Sequence, residues 1–227
     1  MSRVVFITGT DTDVGKTVLT ASIVFHLERR GKRVVALKPF ASGSREDAHI
    51  LRYFQGGRLS LADINPFYYK AAVAPRAAVR SLQSLPSLAV VTRKILRWAG
   101  VAEYLVVEGI GGVLVPLGRD FSVLDLIKKL NARVVLVARD RVGVINHVRL
   151  SVAALQGARI EGINVVLMQQ KYPDSSARGN AGILSEIIPS ISLTEFPFLG
   201  DRGSLEGRLK RNSKKMQKSL AQMLGDE

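Results

Sequence analysis

Short runs of β-branched residues alternate along this chain with longer stretches of helical spacing, and turns containing Gly or Asp separate them. This alternation is typical of a parallel sheet with helices on both faces. Several runs are apolar throughout, as expected for strands that are covered on both sides. The predicted strands are Arg3–Thr8, Arg33–Leu37, Tyr104–Val107, Arg133–Ala138, Gly162–Leu167 and Ile191–Phe196. The chain is therefore predicted to adopt an α/β fold with a doubly wound, mostly parallel sheet.

Helices are predicted where apolar residues recur at a spacing of three or four. They are expected at about Gly15–Arg30, Asp47–Gln55, Ser84–Trp98, Ser122–Leu130, Ile145–Gly157, Ala177–Ile188 and Ser204–Leu224. The stretch from Gly56 to Leu82 has no clear period, so we predict a long connection with at most a short helix. No Ser/Gly-rich linker divides the sequence, which predicts a single domain over residues 1–227 with a basic helix or tail at 202–227.

The charge of the chain favours anionic partners. Lys and Arg number 33 against 19 Asp and Glu, a formal net charge of +14, which attracts phosphates, carboxylates or nucleic acid. The basic run from Arg202 to Lys218 is interpreted as the solvated face of a helix. Cysteine is absent, which excludes a disulfide framework, a thiolate zinc site and a cysteine nucleophile. No apolar run approaches the ~18 residues of a membrane span, so a cytoplasmic protein without membrane contact is expected.

The segment from Gly9 to Thr17, with the sequence GTDTDVGKT, follows an apolar strand and precedes an amphipathic helix. A phosphate-binding loop is expected in this context. Backbone N–H groups of the turn would form an anion site, Lys16 would reach the β- and γ-phosphates, and the Thr17 hydroxyl would coordinate Mg²⁺. The usual pattern has a Gly where Thr10 stands, and the alternative is a strand-to-helix turn without a ligand.

Two carboxylates are candidates for the metal. Glu108 follows the apolar run Tyr104–Val107, and the carboxyl end of a parallel strand lies at the ligand-binding edge of the sheet. Asp47 stands at the predicted start of a helix, where it could serve either as a metal ligand or as an N-cap. The sequence leaves these two roles of Asp47 open.

Four motifs together are far more specific than the loop alone. After Gly9–Thr17 come Lys38–Gly43 (KPFASG), Val107–Gly112 (VEGIGG) and Gly143–His147 (GVINH). In this order and at these intervals the chain resembles the dethiobiotin synthetase family, over nearly its whole length to about Leu199. The resemblance implies a P-loop NTPase-like fold, ATP and Mg²⁺ as cofactors, and a homodimer with the substrate site at the subunit interface.

The reaction implied by the resemblance is the ATP-dependent closure of a cyclic urea. The diamine 7,8-diaminononanoate captures CO₂, supplied as bicarbonate, to form a carbamate, and ATP phosphorylates the carbamate. The second amine then displaces phosphate to give dethiobiotin. Such a step brings two anions together, so lysines and Mg²⁺ that neutralise the developing charge should supply most of the catalysis.

The resemblance also assigns residues to roles. Those implied in catalysis are Lys38, Lys16 and Thr12, with Lys38 as the catalytic cation. Those implied at the nucleotide are Asp13, Val14, Gly15, Lys16, Thr17, Val18, Glu108, Gly109, Ile110, Gly111, Met168, Gln169, Phe196, Pro197 and Phe198. Those implied at the diamine are Ser42, Gly111, Gly112, Gly143, Val144, Ile145 and Asn146. The implied metal ligands are Thr17, Asp47 and Glu108.

Several of these assignments have an ordinary structural alternative. Asn146 could cap a helix instead of belonging to a helix N-terminus that binds the substrate carboxylate. Gly111 and Gly112 could form a flexible turn after a strand, and the Phe196–Phe198 strip could be a strand end with a Pro stop. Where the family has a base-reading Asn, this chain has Met168 or Gln169, which predicts a broader range of nucleoside triphosphates.

The main functional alternative is a partitioning or positioning ATPase of the same fold, with a basic surface that binds DNA or a membrane. The net charge favours it. However, such ATPases carry an additional lysine where this chain has Asp11, and they lack the Lys38–Gly43 element. Related amide-forming synthetases would need a Cys nucleophile, and metal-insertion ATPases would need Cys or His clusters. Nucleic acid is therefore not expected as a partner.

Overall fold

The computed structural model describes residues 2–225 and shows strands and helices alternating along the chain. The strands are β1 Arg3–Gly9, β2 Val34–Leu37, β3 Phe40–Ser42, β4 Phe67–Tyr69, β5 Tyr104–Gly112, β6 Arg133–Arg139, β7 Ile163–Met168 and β8 Ser192–Phe196. The helices are α1 Lys16–Arg29, α2 Glu46–Phe54, α3 Leu61–Ile64, α4 Leu88–Leu96, α5 Val123–Leu130, α6 Val144–Gly157, α7 Ala177–Ile187 and α8 Leu205–Leu224. The predicted α/β class is confirmed.

The main sheet has six strands in the order β2-β5-β1-β6-β7-β8, and every adjacent pair is parallel. β1 lies between β5 and β6, so the chain runs from β1 out to β2 and later crosses past β1 from β5 to β6. The carboxyl ends of β1, β5 and β6 therefore meet at a point where the winding reverses. Ligands of open α/β sheets bind in the crevice at such a point.

The core forms because the apolar runs are covered on both faces. Leu105 on β5, Leu136 on β6 and Val165 on β7 are fully buried. The last helix, α8, packs onto the core through an apolar face. The buried residues of this face are Leu209, Met216, Leu220, Met223 and Leu224. Each such side chain contributes about 1.5–3 kcal/mol relative to an exposed one. Most of its basic side chains are exposed, as predicted for a solvated face.

The stretch from Gly56 to Leu82 is more ordered than predicted. It contains α3, β4 and a 3₁₀ turn at Pro75–Ala78, and β4 pairs in parallel with β3 in a separate two-stranded sheet. Phe40 stacks on Phe67 with ring centroids 5.0 Å apart. The short helix α3 fits the predicted connection, but β4 was missed because strands of three residues are too short to show a period in the sequence.

Two element boundaries differ from prediction by more than two residues. α4 begins at Leu88 and not at Ser84, because Pro86 keeps Leu85 in an extended conformation and the Ser87 hydroxyl then caps the helix. β5 continues beyond Val107 to Gly112.

The single-domain prediction for residues 1–227 includes Met1, Asp226 and Glu227, which lie outside the described residues, and it stays a prediction. Among residues 2–225, no helix combines the length and the apolar character needed to cross a bilayer.

Candidate active site

A cleft of about 800 Å³ opens at the carboxyl edge of the main sheet. Its lining residues come from the phosphate loop, the β2–α2 region, the segment before Pro75, β5 and β6. They are Thr12, Asp13, Gly15, Lys16, Thr17, Val18, Lys38, Ala41, Ser42, Ser44, Asp47, Ala72, Val73, Ala74, Ile110, Gly111, Val115 and Arg139. Three of the four sequence motifs thus meet in one cavity, whereas the Gly143–His147 motif does not line it.

The phosphate loop connects β1 to α1 through residues in unusual backbone conformations. Asp13 and Gly15 both have positive φ angles, 53° and 102°, and Gly15 is the N-cap of α1. The Lys16 ammonium folds back and donates to the Asp11 carbonyl at 2.6 Å. Gly15, Lys16 and Thr17 line the cleft at the N-terminus of α1, where the first helix amides lack intrahelical partners, as an anion site requires.

Replacing Gly15 by Ala is expected to weaken nucleotide binding by at least about tenfold. The alanine would have to adopt φ 102°, and its Cβ would lie 3.1 Å from the Met168 Cε atom. The loop and Met168 would therefore both have to shift. Titration calorimetry with ADP measures the effect, and Gly182→Ala, in a helix where an added Cβ meets nothing within 4 Å, is the matched control. Unchanged ADP affinity in Gly15→Ala would contradict the assigned role of this loop.

A cluster of four side chains lies next to the loop. Lys38 Nζ is 2.7 Å from Glu108 Oε1 and 2.7 Å from Asp47 Oδ2, and the Thr17 hydroxyl donates to Glu108 Oε1 at 2.7 Å. Glu108 is fully buried and Lys38 is 4% exposed. Glu108 Oε2 is also buried, with no hydrogen-bond partner among residues 2–225. The Lys38 ammonium therefore neutralises the buried Glu108 carboxylate, and Glu108 Oε2 is left available to a cation.

Burial and the charges of this cluster shift the pKa values of Lys38 and of the neighbouring Lys16 in opposite directions. Burial by itself would lower the pKa of Lys38, but the Glu108 and Asp47 carboxylates more than offset burial and raise it above its ordinary value. Burial and then the nearby Lys38 ammonium lower the pKa of Lys16 to about 8. Burial opposes ionisation of Asp47, yet the Lys38 ammonium keeps the pKa of Asp47 below its usual range. Lys38 is thus a permanent cation near neutral pH.

The structured segment after α2 holds Lys38 and Ser42 in place. The Lys38 amide donates to the Ile64 carbonyl, and the Asn65 side chain donates to the Lys38 carbonyl at 2.8 Å. The Gly43 amide donates to the Tyr69 carbonyl, which fixes the backbone beside Ser42. The Ser42 hydroxyl is buried in the cleft wall without a hydrogen-bond partner in the described chain. These contacts explain why a stretch that was predicted as a connection lies at the cleft.

The geometry excludes three of the ordinary structural alternatives, while the metal and substrate roles of these residues stay predictions. Asp47 is not the N-cap of α2, since Arg45 occupies that position and the Asp47 carboxylate pairs with Lys38. Gly111 and Gly112 do not form a flexible turn, because both belong to β5 and Gly111 has φ 59°. Asn146 does not cap α6 either, because the N-cap is Gly143, with φ 89°.

The residues predicted to contact the base lie at the ends of β7 and β8. Met168 is buried against Gly15, and the exposed Gln169 side chain approaches Glu195 at 3.4 Å. β8 ends at Phe196 and Pro197 follows it, a geometry that fits a Pro stop and a base-contacting strip equally well. None of these residues lines the main cleft, although Met168 lies beside Gly15 of the phosphate loop.

Comparison with known proteins agrees with this arrangement. A family model described as an AAA domain matches residues 3–202. A protein of Endomicrobium trichonymphae named ATP-dependent dethiobiotin synthetase BioD is 34% identical over 203 residues, covering 87% of this chain and 94% of that protein. The Bacillus subtilis (strain 168) protein of the same name is 36% identical over 202 residues, covering 83% and 85%. The chain belongs to the dethiobiotin synthetase family.

Solved structures show how widely the fold of this dethiobiotin synthetase family member is shared. The MinC:MinD cell division protein complex of Aquifex aeolicus matches with a TM-score of 0.62 at 17% identity, covering 100% of this chain and 97% of that one. The cell division protein FtsY of Thermotoga maritima matches with a TM-score of 0.53 at 13% identity, covering 92% and 68%. At such low identity the likeness establishes the fold alone.

Some cleft residues of this dethiobiotin synthetase family member were missed by the sequence analysis. Arg139 ends β6, and Ala72, Val73 and Ala74 follow β4. The position of Arg139 at the carboxyl end of a predicted strand was a usable signal, because such positions face the ligand edge. The alanines carry no such signal, since only the pairing of β4 with β3 brings them to the cleft.

Proposed function

We propose that this chain catalyses the closure of a cyclic urea: the carbamate of 7,8-diaminononanoate is phosphorylated by ATP, and the second amine displaces phosphate to give dethiobiotin. The observation that carries the proposal is the cluster of Lys38, Glu108, Asp47 and Thr17 beside a phosphate loop. Membership of the dethiobiotin synthetase family supports the same reaction. We also infer the cytoplasm as its location.

The donor set of the cluster fits Mg²⁺. Thr17, Asp47 and Glu108 offer the hydroxyl and carboxylate oxygens that this ion prefers, and the second buried oxygen of Glu108 has no hydrogen-bond partner among residues 2–225. Mg²⁺ usually takes only one or two protein carboxylates and completes its shell with waters and phosphate oxygens, which suits this set. When bound, the ion would neutralise charge on the transferring phosphoryl group.

The two lysines would provide the remaining positive charge. Lys16 would leave the Asp11 carbonyl to contact the β- and γ-phosphates, and Lys38 would contact the carbamate and the γ-phosphoryl oxygens. The raised pKa of Lys38 makes it a cation and not a general base. Phosphorylation of a carbamate oxygen needs no proton abstraction, so electrostatic stabilisation is sufficient for this step. The buried Ser42 hydroxyl would find its partner in the carbamate, and Thr12 would contact the reacting groups from the loop.

The diamine carboxylate would bind at the N-terminus of α6 in a second subunit. Gly143, Val144, Ile145 and Asn146 lie outside the cleft of their own chain, so a site that uses both needs a partner. The exposed apolar side chains of Leu114, Val142 and Leu150 surround this region, and Leu114 and Leu150 line one groove of about 450 Å³. A homodimer that buries this surface would join each cleft to the α6 N-terminus of its partner.

Met168 and Gln169, at the expected base-contacting position, fit a nucleotide site that accepts more than one base. Met168 can only pack against a base, whereas the Gln169 amide could donate to and accept from its edge. Nucleoside triphosphates other than ATP would then also be accepted.

Phosphate release from Mg·ATP, measured with and without 7,8-diaminononanoate and bicarbonate, tests the proposed reaction. We expect release that depends on both compounds, with a product of the mass of dethiobiotin. A parallel arm with DNA tests the partitioning-type alternative, which the net charge of +14 and the shared fold favour. Stimulation by DNA and not by the diamine would replace the proposed function and remove the roles given to Lys38 and Ser42.

A further inference from the structure

Arg139 is the last residue of β6 and belongs to none of the four motifs, yet it contacts the phosphate loop directly. Its Nη2 atom donates to the Asp13 carbonyl at 2.7 Å across a sequence separation of 126 residues. The side chain is partly buried and lines the cleft. The contact therefore joins the strand on one side of β1 to the middle of the loop that follows β1.

Asp13 is a position that needs such support. It is a non-glycine residue with φ 53°, a left-handed conformation that Asp adopts more readily than most residues with a Cβ but less readily than glycine. Its side chain is exposed. The surroundings must hold Asp13 in this conformation, since the residue does not prefer it intrinsically.

β6 fastens the loop at two points. The Thr10 amide donates to the Val137 carbonyl at 2.9 Å, which fixes the start of the loop, and Arg139 fixes its middle. Between the second tether and α1 lie only Val14 and Gly15, whose amides are part of the anion site.

We propose that Arg139 is a positioning residue that holds the phosphate loop in its nucleotide-binding conformation through the Asp13 carbonyl. The inference rests on the proposed function only in so far as the loop binds nucleotide. Pre-organisation by a guanidinium is effective because a charged donor makes a stronger hydrogen bond to a carbonyl than a neutral one. A loop that is already ordered loses less conformational entropy when it binds phosphate.

The experiment compares Arg139→Met and Arg139→Lys with the wild-type chain. Titration calorimetry with ADP and with Mg·ATP is expected to show about tenfold weaker binding of both nucleotides for Arg139→Met, and a smaller loss for Arg139→Lys, which keeps a charged donor. Amide hydrogen exchange at residues 12–17 of the nucleotide-free protein is expected to become faster in Arg139→Met. Arg178→Met, an exposed arginine on α7, is the matched control.

The exchange measurement separates positioning from direct contact with the nucleotide. Weaker ATP binding with unchanged exchange at residues 12–17 would make Arg139 a phosphate ligand and overturn the inference. Unchanged affinity and unchanged exchange would overturn it as well. If the wild-type chain bound neither nucleotide, the proposed function would fail, while the exchange comparison would still test the tether. If Arg139→Met fails to fold, as shown by the loss of its thermal unfolding transition, the same measurements are made on Arg139→Lys.

Discussion

Replacing Lys38 by Met is expected to lower turnover about 10²–10³-fold while ADP binding stays within about threefold of the wild type. Met keeps the length of the side chain but removes the cation that would stabilise charge on the carbamate and the phosphoryl group, and removal of one such donor has an effect of about this size. The loss should appear in kcat more than in nucleotide affinity, because Lys16 and the loop amides still bind the phosphates. Phosphate release and calorimetry measure the two quantities.

A stability measurement makes this test sharper. Lys38→Met leaves the fully buried Glu108 without its ammonium, and an uncompensated buried charge costs about 3–5 kcal/mol of unfolding free energy. The double variant Lys38→Met/Glu108→Gln removes both charges and should recover much of that loss, as measured by urea unfolding. Turnover should remain low in the double variant. Recovered stability with lost turnover separates catalysis from folding, whereas near-wild-type turnover in Lys38→Met would remove Lys38 from the mechanism.

Replacing Glu108 by Gln is expected to lower turnover about 10²-fold and to raise the Mg²⁺ concentration for half-maximal activity by about tenfold or more. The Gln carbonyl oxygen can still accept from Thr17 and Lys38, so the shape of the cluster is retained and the charge alone is lost. Calorimetry with ATP provides a readout besides activity. The gain in ATP affinity that Mg²⁺ produces should shrink, while affinity without Mg²⁺ should be unchanged or tighter because one negative charge has been removed.

Glu186→Gln is the control for this variant, since Glu186 is exposed on α7 and its substitution also removes one negative charge. It should behave as the wild type in all three measurements. An Mg²⁺ dependence in Glu108→Gln equal to that of the wild type would mean that Glu108 serves only to hold Lys38.

Local patterns predicted a large part of this molecule. β-branched runs covered on both faces become β1, β5, β6 and β7, because burial of apolar strands by helices leaves few other arrangements. The phosphate loop was predictable since Gly15, Lys16 and Thr17 act within one turn at a helix N-terminus. Glu108 was predictable as a functional residue because it follows an apolar run at the edge of the sheet where ligands bind, whereas Lys38 was assigned only through the resemblance to the dethiobiotin synthetase family.

The limits of prediction lie where a contact joins distant parts of the chain. The segment after α2 holds the backbone of Lys38 through Ile64 and Asn65, and its strand of three residues had no period that could be recognised. The role of Asp47, as N-cap or as metal ligand, could not be distinguished from its sequence position alone, and its ion pair with Lys38 was not predicted. Arg139 reaches Asp13 only because β6 lies beside β1.

The sequence by itself thus determined the class of fold, the phosphate loop and the chemical types of the groups around it, since propensity, burial and helix-end geometry are local properties. Only the tertiary structure decided that the Lys38 Nζ atom lies 2.7 Å from both an Asp47 and a Glu108 carboxylate oxygen, which raises the pKa of Lys38, and that burial and the Lys38 ammonium lower the pKa of Lys16. The physical reason is that burial and electrostatic interaction depend on distance in space. The parallel order β2-β5-β1-β6 sets those distances by placing residues from four separate stretches at one edge of the sheet.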